Sequence, residues 1–235
     1  MQKGKIYMLP MTLGDSSIDL VIPKEVQKKL LSIKVFVVEN IKTTRRYLKK
    51  IDKAVDINEL TFFELNKHTK ETELEHFLTP ALEGEDIGVI SEAGCPGIAD
   101  PGSEIVKRAH QKNIQVVPLV GPSSILMALI ASGMNGQQFT FNGYLPFDKK
   151  ERIKKLKDME RLAQRNHTQL FMETPFRNDS LLQDVLQHCS GNLKLCIATD
   201  ISLETEFIVT KPLKEWKKNL PNLKKRPTIF VLGNF

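Results

Sequence analysis

Short apolar runs alternate with helical patterns through the first half of the chain. Runs of about four to eight apolar residues are typical of buried strands, and apolar positions three or four residues apart are typical of helices. The predicted strands are Lys5–Leu9, Lys34–Val38, Leu60–Leu65, Asp86–Ile90 and Ile114–Leu119. The helices predicted between them are Pro23–Ile33, Thr43–Lys50, Glu71–Leu82 and a segment that starts at Ser103. This alternation favours a mostly parallel sheet with helices on its faces.

The pattern changes after Gly121. A strongly apolar helix is predicted over Pro122–Ser132, and Gly133 ends it. The later predicted strands are Phe139–Asn142, Thr168–Met172, Leu193–Ala198, Glu206–Thr210 and Thr228–Leu232, and the later helices are Asp148–Arg165, Phe176–His188 and Pro212–Asn219. Because consecutive short strands are joined by a turn, we expect antiparallel pairs here. We therefore predict an α/β protein of two α/β domains, residues 1–119 and 120–235.

Composition narrows the class of protein. The chain has 235 residues, 41% of them apolar, and a formal net charge of +6. Because no run approaches the roughly 20 apolar residues of a membrane span, we expect no membrane association. The first residues also lack the long apolar stretch of a signal peptide. Cys95, Cys189 and Cys196 are scattered, which favours reduced thiols in a cytoplasmic protein. The positive charge fits a polyanionic partner, although many soluble proteins are mildly basic.

Several well-known types of catalytic and nucleotide-binding site are excluded because the sequence lacks their motifs. Ser123 and Ser124 lie in GPSSI, which differs from the G-x-S-x-G turn of hydrolases. The sequence contains neither a G-x-x-x-x-G-K-[ST] phosphate loop nor a G-x-G-x-x-G dinucleotide fingerprint. Its five histidines are not spaced as metal ligands, so we expect no metal site.

Two loops remain as candidates for a ligand site. The first, residues 91–102 (SEAGCPGIADPG), joins a predicted strand to a predicted helix and contains three glycines and two prolines. Glycine lets backbone approach a ligand closely, and proline fixes the shape of a loop. The second, residues 120–124 (VGPSS), also follows a strand and offers hydroxyls and free amides at a helix start. Each loop by itself is equally well explained as an ordinary turn and helix cap.

Four segments together are similar to a known family. They are SEAGCPGIADPG (family form S-D-A-G-T-P-G-I-S-D-P-G), VVPLVGPSSILMALIASG, FTFNGYLPFDKKERIKKL (F-x-F-x-G-F-L-P) and LFMETPFRNDSLLQDV (Y-E-x-P-x-R). Their order and spacing resemble the tetrapyrrole methylase-type S-adenosylmethionine methyltransferases over nearly the whole chain. Within this family, the chain resembles members that methylate a ribose 2′-hydroxyl of a cytidine in 16S ribosomal RNA.

The resemblance implies a cofactor, S-adenosyl-L-methionine, bound in a cleft between the two domains. The residues carried over to cofactor binding are Pro10, Ser91, Glu92, Ala93, Gly94, Cys95, Pro96, Ile98, Gly121, Pro122, Ser123, Ser124 and Met172. It also implies an RNA partner, the ribosomal small subunit, and a homodimer.

The chain departs from the family at several of these positions. Glu92 stands where the family has Asp, and Cys95 where it has Thr. Residues 38–42 (VENIK) replace the family's A-E-D-T-R, and residues 64–68 (ELNKH) replace its H-x-H-N-E. The family places these last two segments on the acceptor side. The cofactor site is therefore expected to be intact and the acceptor site altered.

A ribose hydroxyl attacks a methyl group well only after it loses its proton, so a base or a positive neighbour is expected nearby. The catalytic candidates are Glu39, Lys42 and Arg46, with Glu173 and Arg177 as a further pair. Two other hypotheses stay open at this point. The acceptor could be an acidic tetrapyrrole or another small molecule, or the chain could be a cofactor-binding relative that has lost catalysis.

Overall fold

The computed structural model describes residues 2–66 and 68–235. The chain divides into two compact units, Met1–Ser123 and Ser124–Phe235, and each contains its own five-stranded sheet. Across the described residues, no helix is both long and apolar enough to span a membrane.

The first unit is built on an all-parallel sheet. Its strands are β1 (Ile6–Met8), β2 (Val35–Val38), β3 (Thr61–Glu64), β4 (Ile87–Ile90) and β5 (Val116–Pro118). Its helices are α1 (Ile18–Val21), α2 (Lys24–Ser32), α3 (Ile41–Ile51), α4 (Glu71–Phe77), α5 (Thr79–Leu82) and α6 (Gly102–Gln111), with a 3₁₀ helix at Ile57–Glu59. The strand order is β3-β2-β4-β1-β5, and every pairing is parallel.

Strand β2 shows why these segments are apolar throughout. Val35 and Val37 face one hydrophobic core, whereas Phe36 and Val38 face another. Successive side chains of a strand point to opposite faces, so a strand covered by helices on both sides needs apolar residues at every position. The sheet therefore separates two cores.

The second unit holds a mixed sheet. Its strands are β6 (Phe139–Tyr144), β7 (Thr168–Met172), β8 (Lys194–Thr199), β9 (Phe207–Pro212) and β10 (Thr228–Gly233). Its helices are α7 (Ser124–Ser132), α8 (Lys149–Gln164), α9 (Asn178–His188) and α10 (Leu213–Trp216). In the order β6-β7-β10-β8-β9, β6 and β7 are parallel and the remaining pairs are antiparallel. Residues of α8 and α9 share one core with Phe171, Leu195 and Phe230 of the sheet.

The expected α/β class and the antiparallel pairing in the second half are confirmed. The prediction of a single helix over Glu71–Leu82 is wrong, because the chain forms two separate helices there, α4 and α5. Pro80 has no N–H to donate to the preceding turn, so one continuous helix is disfavoured. Helix α7 begins at Ser124 rather than at Pro122, and the short helix α1 was not expected.

Trp216, the single tryptophan of the chain, tests the packing of the second unit. It is 1% exposed, and its indole Nε1 donates to the Leu195 carbonyl oxygen at 2.9 Å. We expect Trp216→Ala to lower the free energy of unfolding by about 3–5 kcal/mol, because a large buried side chain is removed. Urea denaturation followed by far-UV circular dichroism measures this change.

Trp216→Phe is the matched variant, since it keeps an aromatic ring while it removes the indole donor and a smaller part of the buried volume. We expect it to cost less than Trp216→Ala, roughly 1–3 kcal/mol, because the Leu195 carbonyl loses a partner. Equal stability of Trp216→Ala and the natural protein would show that this packing is not important.

Candidate functional site

The candidate residues of the first unit lie at the carboxyl ends of its parallel strands. Pro10 follows β1, Glu39 follows β2, residues 91–101 follow β4 and residues 119–123 follow β5. Parallel strands end at the same edge of a sheet, which is where open α/β sheets bind ligands. The fold therefore brings these four segments to one edge.

Asp100 organises the loop after β4. Its carboxylate accepts hydrogen bonds from the backbone N–H of Gly97 (2.8 and 2.9 Å to its two oxygens), Ile98 (3.2 Å) and Gly102 (2.7 Å). Gly97 has a φ of +89°, a conformation that L side chains rarely adopt. One side chain thus fixes the turn that leads into α6.

The first part of the same loop is held by the chain that follows β1. Met11 N–H donates to the Gly94 carbonyl at 2.9 Å, and Gly94 N–H donates to the Met11 carbonyl at 3.2 Å. The buried Ser91 hydroxyl donates to the Ala93 carbonyl at 3.1 Å. The wall expected from the sequence is therefore ordered by backbone contacts.

Glu39 reaches this loop from the end of β2. Its carboxylate Oε2 accepts a hydrogen bond from the backbone N–H of Glu92 at 2.7 Å. Burial, with a smaller contribution from the charges of Asp100 and Glu92, raises the pKa of Glu39 above the ordinary value of 4.5. A half-buried carboxylate with a raised pKa beside a loop is a feature of acid–base sites.

The second loop packs closely on the end of β1. A Cβ placed on Gly121 would lie 2.1 Å from Pro10 Cβ, so a side chain cannot fit there without movement of the backbone. The buried Tyr47 hydroxyl donates to the Pro10 carbonyl at 2.9 Å and fixes the other side of Pro10. Pro10 is therefore held between α3 and the second loop.

Cys95 joins the two loops. Its Sγ lies 3.4 Å from the Pro122 carbonyl oxygen and 3.7 Å from that of Gly121. Burial raises the pKa of the Cys95 thiol, so it stays neutral and keeps the proton that it donates. The cysteine thus supplies an S–H donor where the family has a threonine hydroxyl.

A cavity of about 380 Å³ opens beside the first loop. Its walls are mostly apolar, and three of the expected cofactor residues, Cys95, Pro96 and Ile98, contribute to them. The remaining walls come from β1, α6 and β5, through residues that include Met8, Val106 and Val116. Such a cavity suits an organic group of small size.

The other sequence-based candidates are distributed differently. Lys42 and Arg46 are exposed on α3, one helical turn apart. In the described part of the chain, the ion pair of α3 joins Lys50 to Asp15 at 2.6 Å and does not involve Lys42, Arg46 or Glu39. Ser123 ends the first unit, and Ser124 is the first residue of α7 in the second unit.

The second unit supplies Met172, which is half-buried at the end of β7. Next to it, Glu173 is nearly fully buried and its Oε1 lies 2.6 Å from Arg177 Nη2. The sequence-based pair Glu173 and Arg177 is therefore a formed ion pair.

The altered acceptor-side segments have structural roles of their own. Asn40, at the family's aspartate position, accepts from Thr43 N–H at 3.1 Å and caps α3. This is the role in which Asn and Asp are interchangeable. In the second altered segment, Lys67 lies outside the described residues.

Two organising residues were missed from the sequence. Asp100 and Tyr47 hold the loop and Pro10, yet neither was among the expected site residues. For Asp100 a signal existed, because Asp followed by Pro and Gly is typical of turns whose carboxylate bonds nearby amides. Tyr47 gave no signal, since its contact spans 37 positions of the chain.

Comparisons with known proteins identify the family of the chain. The sequence model of the family described as Tetrapyrrole (Corrin/Porphyrin) Methylases matches residues 24–217. A relative from Vibrio cholerae, named Ribosomal RNA small subunit methyltransferase I, is 29% identical over 98% of this chain and 77% of its own length. A relative of the same name from Halalkalibacterium halodurans is 30% identical over 91% of this chain and 70% of its own length.

Solved structures show the same fold. The methyltransferase CobJ superposes with a TM-score of 0.66 and 18% identity, covering 98% of this chain and 94% of that chain. The match to the family model spans most of the chain, and the relatives align across both units. The chain therefore belongs to the tetrapyrrole (corrin/porphyrin) methylase family and is a methyltransferase.

Proposed function

We propose that this methyltransferase uses S-adenosylmethionine to methylate a ribose 2′-hydroxyl of 16S ribosomal RNA. The observation that carries the proposal is the alignment, along nearly the whole chain, with relatives named Ribosomal RNA small subunit methyltransferase I. The two joined loops at the sheet edge support it, since they provide the cradle that a methyl donor requires.

The residues at the edge fit S-adenosylmethionine chemically. Backbone polar groups near Gly94 and Gly121 suit its amino acid and ribose, and the apolar cavity beside Cys95 and Ile98 suits its less polar parts. The carboxylates of Glu39, Glu92 and Asp100 suit its positive charge. When bound, this cofactor supplies an activated methyl group on a sulfonium.

In methyl transfer, the residues of this chain then have a small number of roles. The loops orient the methyl group, and the apolar walls exclude water from the reaction. Glu39 is the proposed base that takes the proton of the ribose hydroxyl. Lys42 and Arg46, exposed together on α3, are proposed to bind RNA phosphates near the acceptor nucleotide.

We also propose a homodimer in the cytoplasm, where ribosomal subunits occur. Helix α7 supports self-association, because Ile130 is 81% exposed and Leu126 is 51% exposed on the same helix. Exposed apolar side chains spaced four positions apart form a stripe that a partner would cover.

Methyl transfer to the ribosome tests the function directly. Purified protein, tritiated S-adenosylmethionine and small subunits from a strain that lacks the gene are expected to give labelled 16S RNA. The label should remain in alkali-resistant dinucleotides, because a methylated 2′-oxygen cannot attack the adjacent phosphate. Label in a tetrapyrrole alone, or in nothing, would overturn the proposal.

Substitution of Gly121 tests whether the second loop forms part of the cofactor site. We expect Gly121→Ala to weaken S-adenosylmethionine binding by about tenfold or more, because the added Cβ must push Pro10 and the second loop apart. Isothermal titration calorimetry measures the dissociation constant. Gly136→Ala is the matched control, since a Cβ at Gly136 has no atom within 4 Å and should leave the affinity unchanged. Equal affinity in Gly121→Ala would place the cofactor elsewhere.

Variants of Glu39 test whether this residue acts as the base or only anchors the loop. Glu39→Gln keeps an oxygen that can accept from the Glu92 N–H but cannot take a proton near neutral pH, whereas Glu39→Ala loses both roles. We expect both variants to lower kcat at least about 100-fold, and only Glu39→Ala to weaken cofactor binding as well. Full activity of Glu39→Gln would leave Glu39 as an anchor of the loop.

The pH profile provides a second measurement on Glu39. A base works only when ionised, and burial raises the pKa of this carboxylate above 4.5. The kcat of the natural protein should therefore fall as the pH drops through this raised pKa, at a higher pH than for an exposed glutamate. The residual activity of Glu39→Gln should lack that acid limb.

A further inference from the structure

Two phenylalanines of the second unit are strongly exposed. Phe147 is 80% exposed between β6 and α8, and Phe176 is 77% exposed between β7 and α9. A scattered apolar side chain at a surface is ordinary, but a rigid group of aromatic rings beside cations marks a contact surface.

Arg177 connects the two phenylalanines. It follows Phe176 directly, and its guanidinium carbon lies 4.8 Å from the centre of the Phe147 ring. Glu173, whose side chain is 3% exposed, fixes this guanidinium through the 2.6 Å contact to Arg177 Nη2. The cation is thus held against the Phe147 ring in a cation–π arrangement, and it belongs to the residue that directly follows Phe176.

The segment that carries Phe147 is held by a buried ion pair. Arg152 Nη1 donates to the carbonyls of Pro146 (3.0 Å) and Phe147 (2.7 Å). Arg152 Nη2 in turn lies 2.7 Å from Oδ2 of Asp184, a residue that is 4% exposed. The exposure of Phe147 therefore does not come from an unanchored loop.

The segment that carries Phe176 is tied to a basic stretch. Lys225 N–H donates to the Pro175 carbonyl at 3.0 Å, and Asn178 Nδ2 donates to the Arg226 carbonyl at 2.7 Å. These bonds join the segment of the exposed Lys224 and Lys225 to the segment that carries Phe176. A second exposed pair, Lys149 and Lys150, follows Phe147 at the start of α8.

The charges around the rings are positive on balance. The three arginines at the rings, Arg152, Arg177 and Arg226, are each paired with a buried carboxylate. Of the four lysines, Lys149 also lies near a buried carboxylate, with its Nζ 3.8 Å from Asp184 Oδ1, and the exposed acidic residues of these segments are Asp148, Glu151 and Asp179. A protein interface of this kind would be depleted in charge at its core. Aromatic rings between lysines match single-stranded nucleic acid better.

We propose that Phe147, Phe176 and Arg177 form a stacking platform for unpaired bases of the RNA substrate. The platform rests on the proposed function, which it deepens by naming the surface that receives single-stranded RNA. Aromatic rings and guanidinium planes stack on the faces of unpaired bases, and the lysine pairs contact the flanking phosphates. Recognition is independent of base identity at these positions, because every base offers a π-face.

The first experiment measures binding of a short single-stranded oligoribonucleotide by fluorescence anisotropy. We expect Phe147→Leu and Phe176→Leu each to raise the dissociation constant at least about fivefold, since leucine keeps the apolar volume but not the stacking face. Phe147→Trp should restore the affinity. Phe235→Leu is the matched control, because Phe235 is also exposed (67%) with a cation, Lys194 Nζ, 3.1 Å from its ring centre.

Unchanged affinity in both leucine variants, or failure of the natural protein to bind the oligoribonucleotide, overturns the platform. A change in sedimentation coefficient of the leucine variants, with unaltered RNA affinity, also overturns it and identifies a contact between copies of the chain. Circular dichroism of each variant verifies that it is folded.

Methylation of small ribosomal subunits distinguishes this proposal from the proposed function. If the platform is correct, Phe147→Leu raises the KM for subunits several-fold and changes kcat little. If the natural protein methylates subunits and Phe147→Leu alters neither KM nor oligoribonucleotide affinity, the platform alone fails. If oligoribonucleotide affinity falls in Phe147→Leu while the natural protein labels no subunit RNA, the platform stands and the proposed acceptor fails.

Discussion

The candidate site of the first unit depends on the hydrogen bonds that the Asp100 carboxylate accepts. Backbone amides of three residues converge on it, and this shapes the turn between β4 and α6. Without an acceptor there, these N–H groups would need other partners and the loop could adopt other conformations. The same loop carries Cys95, which lines the cavity, and Gly94, which bonds to Met11.

From this turn, short contacts extend to the neighbouring strand ends. Gly94 and Met11 tie the loop to β1, Cys95 ties it to the second loop, and Glu39 ties it to β2. Each contact is worth little by itself, about 1 kcal/mol for a typical hydrogen bond. Together they hold the segments after four strands in one arrangement, which is the preorganisation that a transfer reaction needs.

The sequence predicted much of this because the relevant signals are local. Buried strands such as Val35–Val38 are apolar at every position, and the glycines and prolines of residues 91–102 mark a rigid loop. The antiparallel pairs of the second unit followed from short connections.

Contacts between distant positions could not be predicted in this way. The bond from Tyr47 to Pro10 and the close approach of Gly121 to Pro10 depend on how strands are ordered in the sheet. Pro80, a local signal, was present but was outweighed by the helical periodicity around it.

The bond from Glu39 to the loop ends on a main-chain N–H rather than on a side chain. Position 92 can therefore exchange aspartate for glutamate, as it has relative to the family, while the partner of Glu39 stays the same. The contacts of Gly94 to Met11 are also both between main chains, but its φ of +68° and the nearby Pro122 carbonyl restrict this position to glycine. A scaffold joined through its peptide groups keeps its geometry when side chains around it change, so this edge tolerates substitutions that a network of side-chain bonds would not.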